Sequence, residues 1–150
     1  MIQNFFTKEP IPKKIPKDMQ KVIDKLKRCK SKEECLKKAY KIASSKYSKT
    51  RFMVYVVFWR NFWKDINKIW HHNGYIQCHV MNYVLRIMLV KSGWFSDKDI
   101  ELKRTLVWYI SPHQYLRVRV GRKFINVDAH VAAFGVPFGE YAHGFHGYTK

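Results

Sequence analysis

The chain lacks any run of eighteen or more uninterrupted apolar residues, so no membrane-spanning helix is expected. Its amino end, Met1 to Lys17, carries charges and three prolines but no apolar core, which gives a secretory leader no support. Acidic side chains are scarce, 11 against 29 Lys and Arg, and the formal charge is +18. Such a surplus attracts nucleic acid, anionic surfaces or acidic proteins and says nothing about fold. Residues 1–50 hold 15 basic and 5 acidic side chains, against 14 and 6 in the remaining hundred, so the excess leans toward the amino end without being confined there. A lysine-rich solvated surface accounts for it without a dedicated ligand. With no zinc-finger spacing and no aromatic RNA-binding signature, nucleic-acid contact is expected to be nonspecific.

Cysteine is rarer still. Three cysteines leave at least one thiol unpaired, and Cys29 and Cys35, with five residues between them, match no recognised zinc spacing. The expectation is a reduced, cytoplasmic protein in which those two cysteines are structural. His143 and His146 stand three apart, but Gly144 and Gly147 disfavour the helix that would give them a shared face. No metal and no cofactor are therefore expected.

Apolar residues are plentiful, 47% of the chain with 16% aromatic, and a domain of this length buries roughly 70% of its unfolded surface. No repeat or second-domain boundary is visible, so the organisation reads as a basic, extended lead-in over 1–17 and a single domain over 18–150. Pro10, Pro12 and Pro16 disfavour helix in the lead-in. Met19, Val22, Ile23 and Leu26 then repeat with helical spacing. Ser31 and Glu34 form a capping-box pattern, followed by Leu36, Ala39, Tyr40, Ala43 and Tyr47 on one helical face. Residues 52–58 are ambiguous between strand and helix, and Trp59 to Trp70 reads as a helix with an aromatic face. A broad apolar arc predicts a deeply buried helix from Cys78 to Ser92, stopped by Gly93. A charged connection over 96–103 leads to β-formers at Thr105 to Ile110. Two further strands flank a turn at Gly121-Arg122, and a glycine- and aromatic-rich tail follows. Helices first and strands second predict an α+β fold, with helices packed against a small antiparallel sheet.

Centring the hairpin on Gly121-Arg122 puts Leu116, Val118, Val120, Ile125 and Val127 on the core face. His113, Tyr115, Arg117, Phe124, Asn126 and Asp128 take the other. His113 then stands opposite His130, and Asp128 opposite Tyr115. That makes His113 and Asp128 diagonal neighbours about 7–8 Å apart at the backbone, close enough for the carboxylate to orient the imidazole. Cys78 opens the most hydrophobic helix, where the positive end of the helix dipole favours thiolate. The unpartnered N–H groups of a first helical turn are also suited to stabilising an oxyanion. The plain alternatives are a buried cysteine acting as a small apolar residue and a surface His–Asp pair.

The ordered set, a helix-opening Cys78, a strand-opening His113 and an Asp128 closing the next strand, resembles the transglutaminase-like superfamily of papain-related cysteine enzymes. The segments that carry the resemblance are Gly74-Tyr75-Ile76-Gln77-Cys78-His79-Val80, on through Arg86 to Gly93, with His113-Gln114-Tyr115-Leu116-Arg117-Val118 and Phe124-Ile125-Asn126-Val127-Asp128. The helix at 32–47 is similar to the one preceding the nucleophile in that family. Ala129 departs from the family's frequent proline, and Gln114-Tyr115 from its frequent tryptophan. The resemblance implies a papain/transglutaminase-like core and a Cys78–His113–Asp128 triad, with Gln77 or Trp70 as oxyanion-hole side chain. It also implies acyl transfer from amide or peptide carbonyls through a thioester, the substrate being a protein or peptide, with an acidic one favoured by the charge. The rival expectation is a non-catalytic basic module on the same fold, binding nucleic acid or an acidic partner.

Overall fold

The lead-in is not extended throughout, since Phe5 and Phe6 are helical; Pro16 fixes extended backbone at its end, and a longer helix, α1 (Lys17–Lys27), begins on the next residue. Its stripe works as the spacing predicts: Met19, Ile23 and Leu26 are buried and Val22 packs against them. Ser31 caps α2 (Lys32–Lys46), its hydroxyl accepting from Glu34 N–H at 3.1 Å. The return limb of the predicted box reaches one residue further back, Glu34 Oε2 accepting from Lys30 N–H. The computed structural model describes residues 5–47 and 63–144. The ambiguous stretch at 52–58 and the start of the aromatic helix at Trp59 lie outside the described residues. Within them, only Ile66–His71 (α3) is helical in that region, capped by Asp65.

Cys78–Lys91 forms α4, buried without a break from Cys78 to Leu89. It touches α1, α2, α3 and the sheet, so it is the axis on which the core is assembled. Three polar residues on it, His79, Asn82 and Arg86, escape the apolar arc that the sequence predicts, and the last two are tied to other elements. Asn82 Nδ2 donates to the carbonyl of Gln114 at 2.9 Å and to its side chain at 3.2 Å, locking the helix to the sheet. Leaving such a group unpaired costs about 1–3 kcal/mol. Arg86, fully buried, pairs with Asp97 at 3.1 Å and donates to the carbonyl of Glu9 at 2.7 Å.

That second contact belongs to a series that straps the lead-in onto the domain. Tyr83 donates to Pro10 O, Lys91 to Lys13 O, Gln114 to Phe5 O, and Arg104 to the carbonyls of Phe5 and Phe6. Residues 8–16 have no helix or strand, as the prolines predict. Their backbone is held by side chains from elsewhere instead.

The sheet has three antiparallel strands in the order β1 (Ile100–Val107), β2 (Ser111–Val120) and β3 (Lys123–Val127). With the helices preceding it among the described residues, the fold is α+β. The β2–β3 register is the predicted one, Val120 pairing with Lys123 and Leu116 with Val127 around Gly121-Arg122. The first strand differs in both bounds. It begins at Ile100, because Glu101 and Lys103 ion-pair with each other at 3.0 Å on a half-buried face and need no loop to solvate them. It ends at Val107, because Trp108 and Tyr109 adopt left-handed backbone, φ 57° and 59°, and turn the chain back despite their β propensity.

The tail beyond Asp128 is irregular but firmly placed. Gly139 bridges to Asn126 and Gly144 to Val107, and the Tyr141 ring stacks on Tyr115 with centroids 4.1 Å apart. This covers the hairpin face opposite the core, so His113, Tyr115 and Asp128 are buried there. Arg117 stays more open, its guanidinium 4.5 Å from the centroid of the exposed Phe124 ring.

Candidate active site

Three separate parts of the chain meet at one point: the first residue of α4, the start of β2, and the residue just after β3. His113 Nε2 lies 2.7 Å from Asp128 Oδ2, and both side chains are buried. The same carboxylate oxygen accepts from Ala142 N–H at 3.1 Å, so the tail holds Asp128 in place. Cys78 lines the same cleft as His113, and the imidazole acts on its thiol electrostatically. The diagonal placement read from the hairpin thus becomes a direct contact. Its surroundings are dry rather than solvated.

The electrostatics follow from the packing. Burial raises the thiol pKa of Cys78, but the His113 charge, with help from His79 and His130, outweighs it and holds the thiol well below its ordinary value. Burial likewise opposes charge on His113, and Asp128 and Cys78 overcome it, raising the imidazole to about 10. Both shifts favour the same state, a thiolate beside an imidazolium at neutral pH. Cys35 makes the contrast. It is fully buried with Ser92 Oγ at 3.6 Å, and burial pushes its thiol up to about 11. All three cysteines are free thiols.

Gln77 is the N-cap residue of α4 and lines the cleft beside Cys78, where the sequence reading puts an oxyanion donor. Trp70 is not brought to the site. Its indole N–H donates to Asp18 at 2.8 Å, and its ring packs in the core under Lys46. The aromatic face of that segment was needed for burial, so this candidate is set aside.

Two further side chains complete the cleft. His130 Nε2 is 3.0 Å from Tyr75 Oη, and its ring lies 5.8 Å from that of His113. Burial, partly offset by the nearby Cys78, holds His130 below its ordinary pKa. Burial and Cys78 raise Tyr75, which stays protonated. The sequence puts His130 opposite His113 in the ladder; β3 instead ends at Val127, and His130 comes near His113 from the turn that follows. Nothing in the sequence marks Tyr75, three residues before the nucleophile. The cleft itself has a volume of about 160 Å³ and is walled by Tyr75, Gln77, Trp108, His130 and Phe134 around the thiol.

No family model matches the chain, and neither does any curated protein or solved structure. The geometry therefore stands alone.

Among the described residues, no group of three or more His, Cys, Asp or Glu is arranged to hold a metal ion. His143 is exposed near the Tyr141 ring, and His146 lies outside the described residues. No described helix is long and apolar enough to cross a membrane. Chemically, the arrangement offers a preformed nucleophile, a charged proton donor beside it and a carboxylate that fixes the donor's orientation.

Proposed function

We propose that the chain is a cysteine-dependent acyl-transfer enzyme with a papain/transglutaminase-like core, acting on amide or peptide carbonyls. The observation that carries the reading is the buried 2.7 Å His113–Asp128 pair set against a thiol at the N-terminus of a buried helix. The Cys78 thiolate attacks a carbonyl carbon, and the developing oxyanion is met by first-turn N–H groups of α4 and by the Gln77 amide. Collapse of the tetrahedral intermediate breaks the C–N bond, with His113 giving its proton to the departing amine. A thioester remains on Cys78, and His113, now neutral, takes a proton from the incoming water or amine that releases the acyl group. Water gives amidase or protease activity; a lysine amine gives a cross-link. A protein or peptide substrate suits this chemistry, and the net charge of +18 favours an acidic one. Three free thiols fit a cytoplasmic setting.

The test is iodoacetamide alkylation followed by mass spectrometry across pH, in wild type and His113→Ala. Cys78 is expected to label fast well below the ordinary thiol pKa of about 8.5, Cys35 to stay silent, and His113→Ala to slow Cys78. If Cys78 labels no faster than Cys29 and ignores the mutation, the acyl-transfer reading is wrong and a basic binding module takes its place.

A further inference from the structure

Four of the large hydrophobic side chains left exposed among the described residues sit within five positions, Leu106, Trp108, Tyr109 and Ile110, at the tip of the β1–β2 hairpin. Trp108 is 55% and Ile110 84% exposed. Among the described residues the other exposed large apolar side chains, Phe6 and Phe124, stand singly, so a cluster this dense marks a contact surface.

Its backbone is held at a cost. Two consecutive bulky residues in the left-handed region are sterically disfavoured, and such strain persists only when the surroundings impose it. Here the tail imposes it. Trp108 N–H donates to Gly144 O and Gly144 N–H to Leu106 O, both at 3.0 Å. Glycine suits position 144 because its backbone has φ 57°, a conformation that side-chain-bearing residues rarely adopt. The hairpin tip is thus fixed, not frayed, with its apolar groups turned outward.

The tip is continuous with the cleft. Val107, Trp108, Ser111 and Pro112 line the same cavity as Cys78 and His113. We infer that the Leu106–Ile110 tip is an acyl-side subsite, a rigid apolar platform that receives an aliphatic or aromatic side chain of a peptide substrate next to the residue whose carbonyl Cys78 attacks. The inference rests on the acyl-transfer reading and supplies its specificity: a peptide with a large apolar residue beside the reacting one. The basic surface elsewhere steers an acidic segment, but the residue seated at the tip is uncharged.

The test uses peptidyl chloromethyl ketones that end in glycine and carry leucine, phenylalanine or aspartate at the preceding position. Their labelling of Cys78 is followed by mass spectrometry in wild type, Trp108→Ala and Ile110→Lys. The readout is the ratio of apolar-probe to aspartate-probe rates within one protein, so any general change in thiol reactivity cancels. Leucine and phenylalanine probes are expected to label wild type roughly tenfold or more faster than the aspartate probe, the usual worth of one well-seated apolar group. Both variants should collapse that ratio toward unity. Ile110 is almost fully exposed, so its substitution keeps the test open even if Trp108→Ala fails to fold. A wild-type ratio near unity, or a ratio that survives both substitutions, overturns the subsite. So does a preference that disappears on dilution together with a dimer seen by sedimentation, because the tip is then covered by a second copy. Fast iodoacetamide labelling without an apolar preference would sink the subsite alone; slow labelling by both reagents would sink the catalytic reading first.

Discussion

Asp128→Asn removes one charge and almost no volume. The asparagine amide oxygen can still accept from His113 Nε2–H and Ala142 N–H, so the shape survives while the carboxylate's attraction is lost. A hydrogen bond to a charged group is worth about 1.5–3 kcal/mol, and one pKa unit corresponds to about 1.4 kcal/mol. Burial disfavours charge on His113, and Asp128 with Cys78 lifts it to about 10. Loss of the carboxylate should bring it down by about 1–2 units, to a midpoint between about 8 and about 9. The sign follows directly. With a midpoint of about 8, roughly a tenth of the imidazolium remains at pH 9, where a midpoint of about 10 leaves roughly nine-tenths. At pH 7 the ring stays charged and the thiolate persists. The loss therefore falls on the alkaline limb of acyl transfer, where a protonated ring must supply the leaving amine. Nitrogen-15 NMR of labelled histidine, titrated across the pH range of the folded protein, reads the midpoint. The same titration in Cys78→Ala separates the thiolate's share, since the midpoint belongs to the coupled pair. A wild-type His113 titrating near the ordinary value of about 6.5, or a midpoint that ignores Asp128→Asn, would refute the charged-pair argument.

Two other outcomes test the surroundings of the site. Trp70→Phe, which loses the hydrogen bond to Asp18 and part of a ring buried away from the cleft, should leave the alkylation rate of Cys78 within about twofold, whereas Gln77→Ala should slow thioester formation from an amide by roughly 10²-fold; the opposite pattern would restore Trp70 as the oxyanion donor. Arg86→Met should free the lead-in, because the Glu9 carbonyl and Asp97 lose their shared guanidinium. Tryptic cleavage after Lys13 and Lys14 should then accelerate by roughly tenfold, and an unchanged digestion pattern would mean that the other straps suffice.

How much of this was legible depended on the range of the interaction. Elements set by local pattern, the Met19–Leu26 stripe, the Ser31 cap, the Cys78 helix and the Gly121-Arg122 turn, appear close to where spacing puts them. The hairpin register carried the site, because a two-residue turn fixes the pairs up to Leu116 and Val127, and His113 and Asp128 lie just beyond that last pair. What failed to show was imposed from a distance. Trp108 and Tyr109 are strong β-formers turned into a bend by a glycine far along the chain. The burial of His113 and Asp128 comes from a tail whose composition reads only as irregular. Trp70 looked like a donor for the site because a sequence does not reveal which carboxylate an indole will meet, and here Asp18, distant in sequence, reaches it first.

The tail has one more consequence, for when the chemistry can switch on. Cys78 precedes by more than sixty residues both the Ala142 amide, which steadies Asp128, and Gly144, which bonds to the backbone of Leu106 and Trp108. Until those residues dock, Asp128 lacks that anchoring hydrogen bond, water reaches the pair, and the mutual charging of thiol and imidazole is screened. A partly folded chain in which the tail is undocked should therefore hold Cys78 closer to an ordinary thiol than the folded one does.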